Sequence, residues 1–223
     1  MHSNHTVSGN SRTVISTQTG PHEQLLAQVA KHSRSDWGKP ITDYNRAAFD
    51  GAQEWFLQKS GKLILDSGCG TGDSSRALAE MFPTHQIIGI DRSAHRLSRQ
   101  RQHTPDNCLL VRADLLDFWR LAVQAGWRPE RHFLLYPNPE PKPKHLTRRF
   151  HAHPIFPVLL ALGGAFECRS NWLIYLEEMA LALQYHHKTA QIQPIDGNVP
   201  PCSPFEHKYR ISGQPLWRLQ AVL

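Results

Sequence analysis

Residues 62–91 read KLILDSGCGTGDSSRALAEMFPTHQIIGID. An apolar run, Leu63, Ile64 and Leu65, ends in Asp66 and enters a turn with glycines at 68, 70 and 72. From Arg76 to Ala79 the pattern changes to that of a helix. In a strand, glycine turn and helix in that order, the main chain can take positive φ and come close to a ligand. The start of the helix then offers that ligand its unpaired N–H groups. A second apolar run, residues 86–90, ends in Asp91, whose carboxylate is placed at the same crevice. The stretch predicts an open α/β sheet with a nucleotide-type ligand at the carboxyl ends of its strands.

Two readings of the turn compete. A dinucleotide site needs the third glycine of G-x-G-x-x-G so that the helix can pack on the strand, and Asp73 stands there instead. The plainer alternative is a glycine turn that holds no ligand. Downstream, apolar runs at 108–111, 132–136, 165–169, 189–193 and 216–222 alternate with helical patterns. That makes seven strands in a doubly wound, mainly parallel sheet. Upstream, Leu25, Leu26 and Val29 mark a short amphipathic helix, and residues 44–57 mark a second. Residues 1–21 contain no acid and are rich in Ser, Thr, Asn and Gly. They read as a flexible arm, either a floppy terminus or a tail for a phosphate backbone, with residues 22–223 as the single domain.

The chain of 223 residues is long enough for a full core and carries a formal charge of +6. Its four cysteines lie outside any C-x-x-C spacing, which suits reduced thiols better than a disulfide framework or a zinc site. No apolar span of membrane length is present, so a soluble cytoplasmic protein is expected, without metal and as a monomer. Positive charge gathers in two places. Residues 92–101 read as a helix with arginines at 92, 96, 99 and 101, either a solvated face or a nucleic-acid contact. Residues 141–166 contain no acid, and Lys142, Lys144, Arg148 and Arg149 follow a proline-rich loop that stops the fourth strand. Such a run beside a ligand crevice points to phosphates. His151 and His153 alternate without further ligands and make no metal site. Trp172, Tyr175 and Met179 share a helical face that suits the core.

The motifs resemble those of one family. Asp-x-Gly-x-Gly-x-Gly with an acid closing the next strand resembles the class I S-adenosylmethionine-dependent methyltransferases, whose fold is Rossmann-like. Within that class the second half resembles the bacterial tRNA (guanine-N7)-methyltransferases. Tyr136-Pro137-Asn138-Pro139-Glu140 continuing to Lys142, Lys144, His145, Arg148 and Arg149 matches F-P-D-P-W-x-K-x-[RK]-H-x-K-R-R. Ser170-Asn171-Trp172 with Tyr175 matches T-D-W-x-x-Y, and Ser203, Phe205, Glu206 and Lys208 match T-x-F-E-x-R. The resemblance implies S-adenosylmethionine as cofactor, held by Asp66, Gly68, Gly70, Gly72, Asp91, Arg92 and Asp114. Asp114 also reads as the cap of the helix that follows it. The resemblance further implies tRNA as partner, with Asn138 and Asn171 at the target base and Lys142, Arg148 and Arg149 on phosphates. Asn171, Ser203, Phe205 and Glu206 would position the substrate.

The departures bear on base identity. The family has aspartate where Asn138 and Asn171 stand and tryptophan at Glu140. A carboxylate only accepts hydrogen bonds, as the N1–H and amino edge of guanine require, whereas a carboxamide both accepts and donates. Two alternatives stay open: methylation of an amino nitrogen on another nucleobase, and an RNA-binding relative without catalysis.

Overall fold

The structure, a computed structural model, describes residues 9–35, 37–99 and 103–223. The strands are β1 (Lys62–Ser67), β2 (His85–Asp91), β3 (Cys108–Arg112), β4 (Arg131–Leu135), β5 (Ala165–Ser170), β6 (Ala190–Pro194) and β7 (Trp217–Val222). They form one sheet of order β3-β2-β1-β4-β5-β7-β6. β1 to β5 run parallel, while β7 inserts antiparallel between β5 and β6. The strand order reverses between β1 and β4, and open α/β sheets bind their ligands at such a switch point.

Helices cover both faces, as a parallel sheet requires. They are α1 (Leu25–His32), α2 (Asp43–Leu57), α3 (Asp73–Met81), α4 (Ala94–Leu97), α5 (Leu115–Gln124), α6 (Phe156–Leu162), α7 (Leu173–Tyr185) and α8 (Pro204–Ile211). Successive residues of β1 serve opposite faces. Leu63 and Leu65 join the larger apolar cluster with Phe49, Phe118, Trp119 and Met179, while Ile64 joins the smaller one with Leu78, Ile87 and Phe133. Trp172, Tyr175 and Met179 are buried in the larger cluster, as their helical spacing predicts.

One local expectation needs correction. The helix expected over 92–101 is only the four residues of α4, started by Ser93, whose Oγ accepts from the Arg96 N–H. The segment buries no side chain, so nothing in the core supports a longer helix. Residues 100 and 101 of that expectation lie outside the described residues. In the loop after β4, Pro143 opens a 3-10 turn over Pro143–Arg148. At the start of α7 no side chain caps the helix. Ser170 Oγ accepts from the Trp172 N–H in a turn, and Trp172 itself precedes the helix.

The segment read as an arm falls partly on residues 1–8, outside the described residues. From Gly9 onward it lies along the body. The Gly9 N–H donates to Ile211 O, and the Ser11 N–H to Ser212 Oγ. Ser16 Oγ donates to Pro141 O at 2.6 Å, and Gln18 Nε2 donates to Glu178 Oε1 at 3.0 Å. Among the described residues no helix is long and apolar enough to cross a membrane.

Candidate active site

The glycine turn is shaped by three left-handed residues, Gly68, Gly70 and Gly72, at φ +83°, +62° and +80°. At Gly72 a Cβ would also come within 2.4 Å of a Leu110 methyl carbon, so both backbone and packing demand glycine. The Gly68 and Cys69 N–H groups donate to Ile90 O, which ties the turn to the end of β2. The Gly70 N–H donates to Asp91 Oδ2 at 3.0 Å.

Asp91 is buried and also accepts from the Ser93 N–H at 2.8 Å and from Arg96 Nη1 at 2.9 Å. A carboxylate offers about four acceptor positions, so one is left over. The Arg96 side chain is 44% exposed and is the partner a ligand would displace most easily. Asp114 caps α5 by accepting from the Leu116 N–H at 2.9 Å. Its own N–H donates to Asn45 Oδ1, which fixes it at the end of β3.

A cleft of about 800 Å³ opens above this end of the sheet, within the range of small-molecule and cofactor sites. Of the expected residues, Gly68, Asp91, Arg92 and Asp114 line it, together with Asn138, Arg148 and Phe205. One end therefore offers acceptors and a glycine turn, and the other an aromatic and amide surface. That donor and acceptor set fits a nucleoside cofactor, with Asp91 and Asp114 able to accept from hydroxyl and amino groups.

Other expected residues lie elsewhere. Asp66 does not face the cleft. It is fully buried, and its Oδ2 accepts from Ser74 Oγ at 2.6 Å and Ser75 Oγ at 2.7 Å, fastening β1 to the first turn of α3. Burial raises its pKa above the usual carboxylate range. Gly70 and Gly72 shape the turn but are not among the lining residues. Arg149, expected on phosphates, is completely buried and donates to Glu178 Oε2 at 2.5 Å, to Gln18 Oε1 and to Glu140 O. It is a structural cation, and of the expected phosphate contacts Lys142 and Arg148 are the exposed ones. Asn171 does not line the cleft, because its Nδ2 donates to Gln214 Oε1 at 2.7 Å. Ser203 caps α8 by accepting from the Glu206 N–H. Glu206 is buried between Arg169 at 2.7 Å and Arg210 at 2.5 Å. Burial would raise its pKa, but the Cys202 hydrogen bond and the Arg169 charge outweigh that and lower it.

Lining residues not singled out in the sequence include Leu115, Leu116, Thr147 and Tyr209; Arg96 of the basic run and His153 line it too, with Tyr136 and Glu140 from the loop after β4. Tyr136 and Tyr209 pack with ring centroids 5.4 Å apart, and Phe205 stacks on Tyr209 at 6.3 Å. The three rings make a wall against which a planar base can stack. Tyr136 at φ +53° and Glu140 at φ +45° are non-glycine residues in the left-handed region, a rare conformation that a loop keeps only where its surroundings enforce it. Among the described residues no group of three His, Cys, Asp or Glu side chains is placed to hold a metal.

A family model whose description reads "Putative methyltransferase" matches residues 60–219. A tRNA (guanine-N(7)-)-methyltransferase of Methylococcus capsulatus is 29% identical over 141 residues, which cover 60% of this chain and 59% of that protein. A trans-aconitate 2-methyltransferase of Escherichia coli is 30% identical over 136 residues, 56% of this chain and 47% of that protein. The chain thus spans only about half to three-fifths of the length of these curated relatives. The solved structure of a 16S rRNA methyltransferase matches with a TM-score of 0.56 at 14% identity, over 84% of this chain and 98% of that one. This likeness shows a shared fold.

Proposed function

The chain belongs to the methyltransferase family whose model spans residues 60–219, and from that premise we propose that it methylates N7 of a guanine in tRNA, in the cytoplasm. Its cofactor is S-adenosylmethionine, which supplies a methyl group on a sulfonium. The observation that carries the substrate reading is the juxtaposition at the cleft. An aromatic wall and an amide continue from the glycine turn, and the exposed cations Lys142, Lys144 and Arg148 follow in the same loop.

N7 of guanine has a free lone pair in the ring plane, so the reaction needs no general base and catalysis is mostly alignment. Asp91 and Asp114 orient the cofactor end. Tyr136, Phe205 and Tyr209 stack the base, and the loop that carries Asn138 faces its edge. Asn171 acts from behind the wall, through Gln214, and Ser203 and Glu206 hold α8 so that Phe205 faces the cleft.

The deciding experiment is nucleoside mass spectrometry of tRNA incubated with the protein and S-adenosylmethionine. The expected product is 7-methylguanosine. A methylated amino nitrogen would move the enzyme to the other nucleobase class, and no methylated nucleoside from several tRNA pools would overturn the reading.

The exposed cations give a second expectation. Lys142→Ala with Arg148→Ala should weaken tRNA binding on all sequences and flatten its log–log salt dependence by about one unit per lost phosphate contact. Cofactor affinity should stay constant. An unchanged salt slope in the double variant would mean that these cations are only solvated.

A further inference from the structure

Three carboxylates line the cleft among the described residues: Asp91, Asp114 and Glu140. The first two stand at the glycine-turn end, held by the backbone N–H bonds already described. Glu140 stands on the loop after β4, where the resembled family has tryptophan. Its Oε1 accepts from Asn138 Nδ2 at 2.8 Å, and its Oε2 faces His145 Nδ1 at 3.1 Å and the Arg148 guanidinium at 3.7 Å. Asn138 is the position where that family has its loop aspartate. A carboxylate is therefore present within one hydrogen bond of the asparagine that lost it.

Resting on the guanine reading above, we propose that Glu140 is the specificity-determining carboxylate of this protein, accepting from the N–H donors on the edge of the target guanine. Two independent observations carry it. The first is the left-handed backbone at Glu140, φ +45°. Such a conformation is costly for a residue with a Cβ and persists where the surroundings require it, which is why it points to function. The second is the unfilled acceptor capacity. Of about four acceptor positions, one is taken by the asparagine and one by the histidine, and the Arg148 contact at 3.7 Å is too long for a hydrogen bond.

Guanine presents N1–H and an exocyclic amino group side by side, two donors that suit a carboxylate. With its Nδ2 turned to Glu140, Asn138 orients this carboxylate and does not stand in for it. The pair does in two side chains what one aspartate does in the resembled family.

The test uses the whole protein and two substrates, tRNA and tRNA with inosine at the target position. Inosine keeps N7 and N1–H but lacks the amino group. Wild type should methylate guanine in preference to inosine. Glu140→Gln, which keeps size and shape, should lower kcat/KM on the guanine substrate about ten- to a hundredfold, and should bring the guanine-over-inosine ratio close to one. S-adenosylmethionine affinity and thermal midpoint should not change. Asn138→Asp alone puts a second carboxylate against Glu140 and should also lower activity. Asn138→Asp combined with Glu140→Gln exchanges the two groups and should restore most of the rate and the preference. Equal methylguanosine from wild type and Glu140→Gln, with the base preference unaltered, would overturn the role of Glu140 alone. No methylguanosine from wild type would overturn the guanine reading and this role with it.

Discussion

Arg149→Ala is expected to destabilise the protein by about 3–5 kcal/mol, because it leaves the carboxylate of Glu178 buried without its counter-charge. Arg149, Glu178 and His151 are all fully buried. Glu178 Oε2 accepts from Arg149 at 2.5 Å and from His151 Nε2 at 2.9 Å, while Oε1 accepts from Gln18 Nε2 and the His22 N–H. The guanidinium also lies over the Trp172 ring, 4.9 Å from its centre.

Burial alone would raise the pKa of Glu178, but the His151 hydrogen bond and charge, with those of Arg149 and Gln18, hold it at about 2. Burial lowers the pKa of His151, against the hydrogen bond and charge of Glu178, which raise it. A carboxylate with a depressed folded pKa contributes stability that is complete above its unfolded pKa, near 4.3. That stability is lost as pH falls from there toward 2. Urea denaturation of wild type and Arg149→Ala from pH 7 to pH 2.5 checks both points. The stability gap should be widest at pH 7 and close in acid, and a variant as stable as wild type at pH 7 would refute the buried-pair account.

Asp91→Ala is expected to weaken S-adenosylmethionine binding about a hundredfold, or about 3 kcal/mol, the scale of hydrogen bonds to a charged acceptor. The loss has two sources. The free acceptor position of Asp91 is removed from the cleft, and the Gly70 N–H and the Ser93 N–H lose their partner, so the glycine turn is no longer held in shape. Asp91→Asn keeps one acceptor oxygen and should fall between the two. Calorimetry with the cofactor is the measurement, and an affinity equal to wild type would show that the cofactor's contacts lie elsewhere.

The sheet and the glycine turn were legible because continuous apolar runs, buried on both faces of a parallel sheet, and left-handed glycines leave direct marks in a sequence. Arg148 and Arg149 were not separable by the same means. They are neighbours in one basic run, yet a 3-10 turn sends Arg148 to solvent and Arg149 inward. The inward partner, Glu178, lies 29 positions away, and nothing in the local pattern announces it. The burial of Asp66 is hard to see in the sequence for a related reason. An acid at the end of a strand looks the same whether it meets a ligand or the hydroxyls of Ser74 and Ser75, and only burial distinguishes the two. The role of Asn171 depends on Gln214, 43 positions away. The aromatic wall was half visible, since Phe205 belongs to a motif while Tyr209 joins it only through the turn of α8.

The segment from Gly9 to His22 carries a consequence for the order in which the chain is built. Ser11 O accepts from Gln214 Nε2 across 203 positions, and Gln18 reaches Glu178 across 160. At about 5–20 residues per second of synthesis, this segment leaves the ribosome some ten to forty seconds before Gln214 does. It cannot complete its contacts until the rest of the sheet exists. Its docking therefore follows the synthesis of those partners, and the loop that ends β4 gains the fastenings at Pro141 O and Arg149 only once this segment has docked.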